Sequence, residues 1–425
     1  MSTGYDAIVI GAGPAGATTA IRLAQAGWSV ALVEKRDFPR RKVCGECIAA
    51  TNLPLLDALG VGDAFRDIAG PELRRVGLFV GKRKIIAPLP PLDAVNHRWG
   101  RALGREHLDT LLLQRAAEVG ANVWQPWTVK GEEYDGAQHA CTLVRTGGSD
   151  TVRLRAPVLV RAHGSWEPGP EELANAHAGV RTPHRDGDLF AFKGTYRDAR
   201  IEPGLLPVLA FSGGYGGMVL GDHGRTTVAF CVRRDTLRAQ RALHPGRKAA
   251  LAALDYVQAQ CTGVRDALAD ATQVGDWLAA GPIQPGIHSP WRADGSFAVG
   301  NLAGEAHPIF GEGISMAIQS AWLLCDRLLA QPARLPTQDS SREQIADLGR
   351  DYARRWHRQF APRIRLAAVC AHLAMRPQAA AALLPVLQRT PGLLTLCARA
   401  AGKVRQPAIT RIARIINPEP NGARR

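Results

Sequence analysis

The stretch Asp6-Ala7-Ile8-Val9-Ile10-Gly11-Ala12-Gly13-Pro14-Ala15-Gly16 runs from a strand-like apolar segment straight into three glycines, and the next apolar run, Ser29 to Val33, ends in an acid, Glu34. Gly11 permits a tight turn, Gly13 lets backbone approach a diphosphate, and Gly16 lets the following helix pack closely on the strand. A diphosphate in that turn faces a helix N-terminus, where free N–H groups and the helix dipole favour negative charge. Glu34, 23 residues after Gly11, is placed to accept a hydrogen bond from a ribose 2′-hydroxyl. Strand, glycines, helix, strand and acid together predict a βαβ unit that binds a dinucleotide; the alternative is a glycine-rich turn with no ligand.

The rest of the composition sets bounds. With 425 residues, 46% of them apolar, the chain is long enough for two or three packed units. Its eight cysteines are scattered, and no signal peptide fits the opening Met1-Ser2-Thr3-Gly4-Tyr5-Asp6, so we expect free thiols and a cytoplasmic protein. No uncharged apolar stretch reaches the roughly 18 residues that a membrane span needs. From Ala361 onward there are eleven Lys/Arg against one acid, Glu419, which is +10 of the net +15. With Leu383, Leu384, Val386, Leu387, Leu393, Leu394 and Leu396 in the same segment, this basic region is either a solvated helical surface or one that meets a membrane surface, a lipid-like molecule or an acidic partner. Nucleic acid is not expected, because no zinc-finger spacing, RNA-recognition signature or basic stripe with stacking aromatics is present.

Along the chain, the periodicities predict a strand at Asp6 to Ile10, a helix from Pro14 to about Ala26, a strand at Ser29 to Val33 and a second helix starting near Arg105. A hairpin is expected around Gly147-Gly148, and an apolar strand, Pro157 to Val160, runs toward His163-Gly164. From about Arg181 to Pro290 the character changes, with strand-like runs Leu189 to Tyr196, Met218 to Leu220 and Thr226 to Arg233, then one helical segment around Arg238 to Cys261. A short strand at Ser296 to Gly300 leads to a helix from Gly313 to Leu329, a linker with Pro332 and Pro336 reaching Arg342, and a helical remainder. The expected architecture is α/β: a Rossmann-like dinucleotide-binding domain (1–180 and 291–330, with an excursion near 75–100), an inserted β-rich substrate domain (181–290) and a basic helical C-terminal region (331–425).

The second glycine-rich run, Gly300-Asn301-Leu302-Ala303-Gly304-Glu305-Ala306-His307-Pro308-Ile309-Phe310-Gly311-Glu312-Gly313-Ile314, resembles the second FAD fingerprint of a large flavoprotein superfamily. That superfamily includes geranylgeranyl reductases, aromatic hydroxylases of the para-hydroxybenzoate hydroxylase type and flavin-dependent halogenases. Lys42-Val43-Cys44-Gly45-Glu46 is similar to an element beside the flavin ring, Arg105 to Asp109 to the family's Arg-x-x-Leu-Asp, and Gly213-Gly214-Tyr215-Gly216 to a turn opening a substrate-domain strand. The resemblance covers roughly residues 4 to 330. It implies FAD as cofactor, held by Gly11, Gly13, Pro14, Ala15, Gly16, Glu34, Lys35, Lys42, Cys44, Gly45, Arg105, Val129, Gly164, Asn301, Pro308, Gly311, Gly313 and Ile314. Asn301 stands where the family has Asp, and Arg161-Ala162-His163-Gly164-Ser165 replaces an expected Gly-x-Asp-Gly; an amide still accepts a hydrogen bond but carries no charge.

No second strand-plus-glycine unit serves a nicotinamide cofactor, so electrons are expected from NAD(P)H docking transiently or from a partner reductase. Our leading expectation is a monooxygenase acting with reduced flavin and O2 on a hydrophobic aromatic or polyketide-like small molecule. The alternatives are a reductase of a carbon–carbon double bond in a lipid-like molecule, a halogenase using Lys82 or Lys84, and a flavin-poor protein that only binds a lipophilic intermediate. His307, Tyr215, Cys44 and Glu46 are the candidate catalytic groups, each with a structural role as its alternative. Cys44-Gly45-Glu46-Cys47 also has the spacing of a redox thiol pair, without a second pair to complete a zinc site. Phe190, Phe192, Leu206, Phe211 and Met218 are candidates for an apolar substrate lining or for core.

Overall fold

The computed structural model describes residues 2–93, 97–164, 185–331 and 340–402. The expectations for Ser165, for the boundary at 181–184, for Pro332 and Pro336, and for every position beyond Gly402 fall outside those residues.

The fold-deciding stretch becomes the strand Ala7–Ile10, a turn, and the helix Pro14–Gln25. The strand is central in a five-stranded parallel sheet whose order is Phe297–Ala298, Val158–Arg161, Ala7–Ile10, Val30–Val33 and Asn122–Trp124. The three inner strands are buried at every position, as expected for parallel strands covered on both faces. One face packs on the helices Pro14–Gln25, Arg105–Glu118 and Gly313–Leu329 through one large core. The other face uses Ile8, Ile10, Ala31, Val33 and Leu159 to meet a second sheet that contains the antiparallel strands Trp127–Tyr134, His139–Arg145 and Thr151–Ala156.

The third large element is an eight-stranded sheet. Its centre is the antiparallel set Leu189–Arg197, Thr226–Arg233, Gly214–Leu220 and Leu205–Phe211, and its edge is the hairpin Arg75–Val80 with Arg83–Pro88, joined in parallel through Leu205–Phe211. One side of this sheet is covered by the helices Ala249–Gln260 and Thr262–Leu268. The helical stretch expected as one segment is two helices, Arg234–Leu243 and Ala249–Gln260. Pro245-Gly246 interrupts it, since proline lacks the N–H that an interior helical position donates. The strand Leu205–Phe211 is absent from the expected elements because Pro207 sits inside it. Helix Ser340–Ala374 begins within the stretch expected as linker, and Pro377–Arg389 and Gly392–Ala400 follow it.

Candidate functional site

A large cavity lies between the carboxyl ends of the parallel strands and the eight-stranded sheet, the position that open α/β sheets use for ligands. Gly11 at φ 101° makes the turn that starts it; a Cβ there would sit 2.7 Å from the Ala162 carbonyl oxygen, so only glycine fits. The helices starting at Pro14 and Gly313 both border the cavity, and neither has a side-chain cap. Two sets of helix-start N–H groups therefore point at the same space. A Cβ at Gly313 would meet no atom within 4 Å, and one at Gly13 would meet only the Arg105 guanidinium at 3.6 Å. Backbone is bare on both sides of the cavity, which is what a diphosphate and a flat ring require.

Of the residues predicted to hold a cofactor, Gly13, Pro14, Ala15, Lys42, Cys44, Gly45, Arg105, Gly164, Asn301, Pro308, Gly311, Gly313 and Ile314 line this cavity. Gly11, Gly16, Glu34, Lys35 and Val129 are not in its lining. Gly11 and Gly16 shape the turn behind it. The Glu34 carboxylate accepts from the Ala12 N–H at 3.0 Å, the Arg36 N–H at 3.0 Å and Arg40 at 3.3 Å. It fastens the glycine turn to the second strand while its oxygens keep lone pairs for a hydroxyl. Lys35 follows at the strand end, its carbonyl accepting from Thr146, and Val129 packs in the neighbouring sheet opposite Leu143.

Arg105 is buried and grips Asp109 through two bonds of 2.6 Å. Burial opposes its charge, but Asp109 and then Cys44 hold its pKa above the ordinary arginine value. The Cys44 Sγ accepts from the Glu46 N–H at 3.3 Å. All eight cysteines are free thiols. Among the described residues, no cluster of metal-ligating side chains includes Cys44 or Cys47.

Glu46 holds a left-handed backbone conformation, φ 58°, and is buried. Its carboxylate accepts from Lys193 Nζ, from Thr227 Oγ1 at 2.5 Å and from the Arg105 N–H at 3.1 Å. Lys193, 1% exposed, is not among the sequence candidates, although a lysine in the apolar run Leu189 to Tyr196 is itself a signal, since lysine is almost never buried unless paired. Lys84 instead pairs with Asp266 on the surface at 3.2 Å, and neither Lys82 nor Lys84 lines the cavity.

Tyr215 lies on the strand Gly214–Leu220, fully buried, and lines the cavity. A Cβ on Gly216 would lie 2.5 Å from the Ala229 carbonyl oxygen, so a glycine beside the tyrosine lets the adjacent strand close in. The Tyr215 hydroxyl lies 2.9 Å from His307 Nδ1. His307, in extended conformation before Pro308, sits just behind the lining, and its ring is 5.5 Å from that of His372, an exposed residue of helix Ser340–Ala374. Burial, followed by the nearby His372, depresses the His307 pKa to about 4, so the ring is neutral at pH 7. Burial also raises the Tyr215 pKa well above the ordinary phenol value. The same helix is tied to the second fingerprint by Arg363, which donates to Glu312 at 2.6 Å and to Gln319 at 2.7 Å. The remaining walls are apolar, with Phe192, Leu206, Val208, Met218, Phe230 and Ile283. About 1480 Å³ of empty space, counting the open mouth, lies within these walls. Apolar walls with a few convergent polar groups are the usual make-up of a small-molecule site.

Residues 4–347 match the family described as FAD binding domain, and the chain belongs to that family. Conditioned medium factor receptor 1 of Dictyostelium discoideum is 28% identical over 337 residues, covering 75% of this chain and 62% of that protein. A menaquinone reductase of Mycobacterium tuberculosis is 28% identical over 163 residues, covering 38% of each. The chain thus spans less than two thirds of the length of these curated relatives. Among solved structures, a flavin-dependent brominase superposes with a TM-score of 0.69 at 18% identity, covering 97% of this chain and 98% of the other. A geranylgeranyl bacteriochlorophyll reductase-like protein of Thermoplasma acidophilum gives 0.66 at 19% identity, covering 99% and 98%. The protein is thus a member of an FAD-binding family with an α/β fold. The structural neighbours share that fold while their names carry different chemistries.

Gly313→Leu places its Cβ in open space at the cavity edge, so folding should be spared while the cavity shrinks. FAD retention should fall by about tenfold, ~1.4 kcal/mol, read as flavin absorbance per protein after desalting. Acid stability responds to the same burial. His307 and His139 are both depressed from 6.5 to about 4, burial being the largest cause for each. Below 6.5 the unfolded chain binds protons that the folded chain refuses, so this stability is complete above that pH and is lost as pH falls toward 4. Thermal denaturation midpoints should decline through that window, and the decline should be shallower in His139→Gln.

Proposed function

We propose that this protein is an FAD-dependent monooxygenase that hydroxylates a hydrophobic phenolic small molecule. The observation that carries the reading is the Tyr215 hydroxyl in an apolar cavity wall, 2.9 Å from the neutral, buried His307 and one ring contact from the exposed His372. An aromatic ring reacts faster with electrophilic oxygen once its hydroxyl has lost a proton. A phenol bonded to the Tyr215 oxygen can hand over that proton as Tyr215 passes its own to His307 Nδ1, with the exposed His372 in ring contact on the far side. Tyr215 is neutral before and after, which suits a phenol whose ionisation burial disfavours. Gly13, Pro14, Ala15 and Arg105 would hold the diphosphate half of FAD and Asn301 to Ile314 its ring, and the reduced cofactor with O2 supplies the oxygen atom. Electrons come from NAD(P)H docking transiently or from a partner reductase, so that substrate, O2, NAD(P)H and a proton give hydroxylated product, NAD(P)+ and water.

A second reading uses the same groups in reverse: Tyr215, kept protonated by burial, donates a proton while hydride reaches a carbon–carbon double bond. Incubation of the holoprotein with NAD(P)H under isotopically labelled O2 and a panel of alkylated phenols separates the two. Labelled oxygen in the product is expected. Reduction of an olefin under anaerobic conditions, with no oxygen incorporation in air, would assign the reductase chemistry instead.

A further inference from the structure

We propose that the helices Ser340–Ala374, Pro377–Arg389 and Gly392–Ala400 present a docking face for an anionic lipid surface. Among the described residues, six of the eight large apolar side chains that are exposed lie between Val369 and Leu396: Val369, Leu373, Leu383, Val386, Leu393 and Leu396. They follow one pattern. Val369 and Leu373 precede Arg376, Leu383 and Val386 precede Arg389, and Leu393 and Leu396 precede Arg399, each at the three- or four-residue spacing that puts the set on one helix face. With Arg365 four residues before Val369, the described part of the segment holds four exposed arginines, none with an acidic partner among the described residues. From Ala361 onward Glu419 is the single acid, and six more Lys/Arg follow Gly402.

Exposed leucine and valine flanked by arginine, with acids excluded, is complementary to acyl chains beneath anionic headgroups. The same helix that exposes Val369 and Leu373 buries Ala367 and Ala371 against Tyr215 and Ile309, so docking seats the cavity wall beside the lipid. Among the described residues no single helix is long and apolar enough to cross a membrane, and Glu343–Ala374 and Pro377–Arg389 are bent by 103°, which suits lying on a surface.

The test is co-sedimentation of the full-length holoprotein with phosphatidylglycerol/phosphatidylcholine vesicles and with phosphatidylcholine alone. Binding at low salt should be at least about tenfold greater on the anionic vesicles and should be released by high salt. Val386→Glu/Leu396→Glu, at exposed positions, should abolish it while flavin absorbance and circular dichroism stay unchanged. Protein left in the supernatant at low salt, equal binding to both vesicle types, or binding untouched by the double substitution overturns the proposal. So does a dimer that the double substitution dissociates, which would make the face a contact between two copies.

Discussion

Tyr215→Phe should lower turnover by about 100-fold or more, the scale of a lost acid–base group, with FAD retention unchanged. The substitution keeps the ring and its packing and removes only the hydroxyl 2.9 Å from His307 Nδ1. What is lost is the link between cavity and imidazole. A purely structural tyrosine would show itself as lowered stability, because an unpaired buried ring nitrogen costs about 1–3 kcal/mol, with turnover nearly unaltered. The readout that separates the two is a turnover that falls at every pH together with loss of the solvent isotope effect. His372→Gln should give a smaller reduction, relieved by small exogenous bases such as imidazole, since His372 is exposed and touches the site only by its ring contact with His307. Wild-type-like turnover in Tyr215→Phe would remove the proton route and with it the observation that supports hydroxylation.

Lys193→Met should destabilise the fold by about 3–5 kcal/mol, the range for breaking a buried ion pair by deleting one partner. Lys193 is 1% exposed and Glu46 5%. With the ammonium gone, the carboxylate keeps Thr227 and the Arg105 N–H but loses its compensating charge. Lys193→Met/Glu46→Gln should recover most of the loss, because the uncompensated charge is removed with its partner. The urea denaturation midpoint measures both variants. A loss below about 1 kcal/mol in the single variant would mean that the pair is solvated in solution. Glu46 sits in the cavity-lining loop while Lys193 and Thr227 sit on the eight-stranded sheet, so this pair holds the two walls together. Of the candidate catalytic groups, Glu46 therefore has the clearest structural duty.

How much of the molecule is legible from residues alone depends on the range of the interaction. The glycines at 11, 13 and 16 and at 300, 311 and 313 are decoded by local physics, because tight turns and bare backbone at helix starts leave few residue choices. Gly11 at φ 101° is one such case. Alternation and helical spacing likewise predict the strands Thr226–Arg233 and Leu189–Arg197 and the helix Gly313–Leu329 to within a residue or two. Pro207 and Pro245-Gly246 mislead at the level of single elements: a proline is tolerated inside Leu205–Phe211, and a proline–glycine pair splits what the composition presents as one helix.

The sequence alone thus determined the α/β fold class, the two glycine-rich helix starts and the basic, leucine-rich C-terminal region, since each is written in residues close together in the chain. Only the tertiary structure decided the partners of the charged and polar side chains. Tyr215 meets His307 across 92 residues and Lys193 meets Glu46 across 147, and His372 arrives beside His307 because a helix from the C-terminal region packs over the cavity. Periodicity reports which face of an element is buried. It carries no record of what will stand opposite, which is set by how sheets and helices stack once the whole chain has folded.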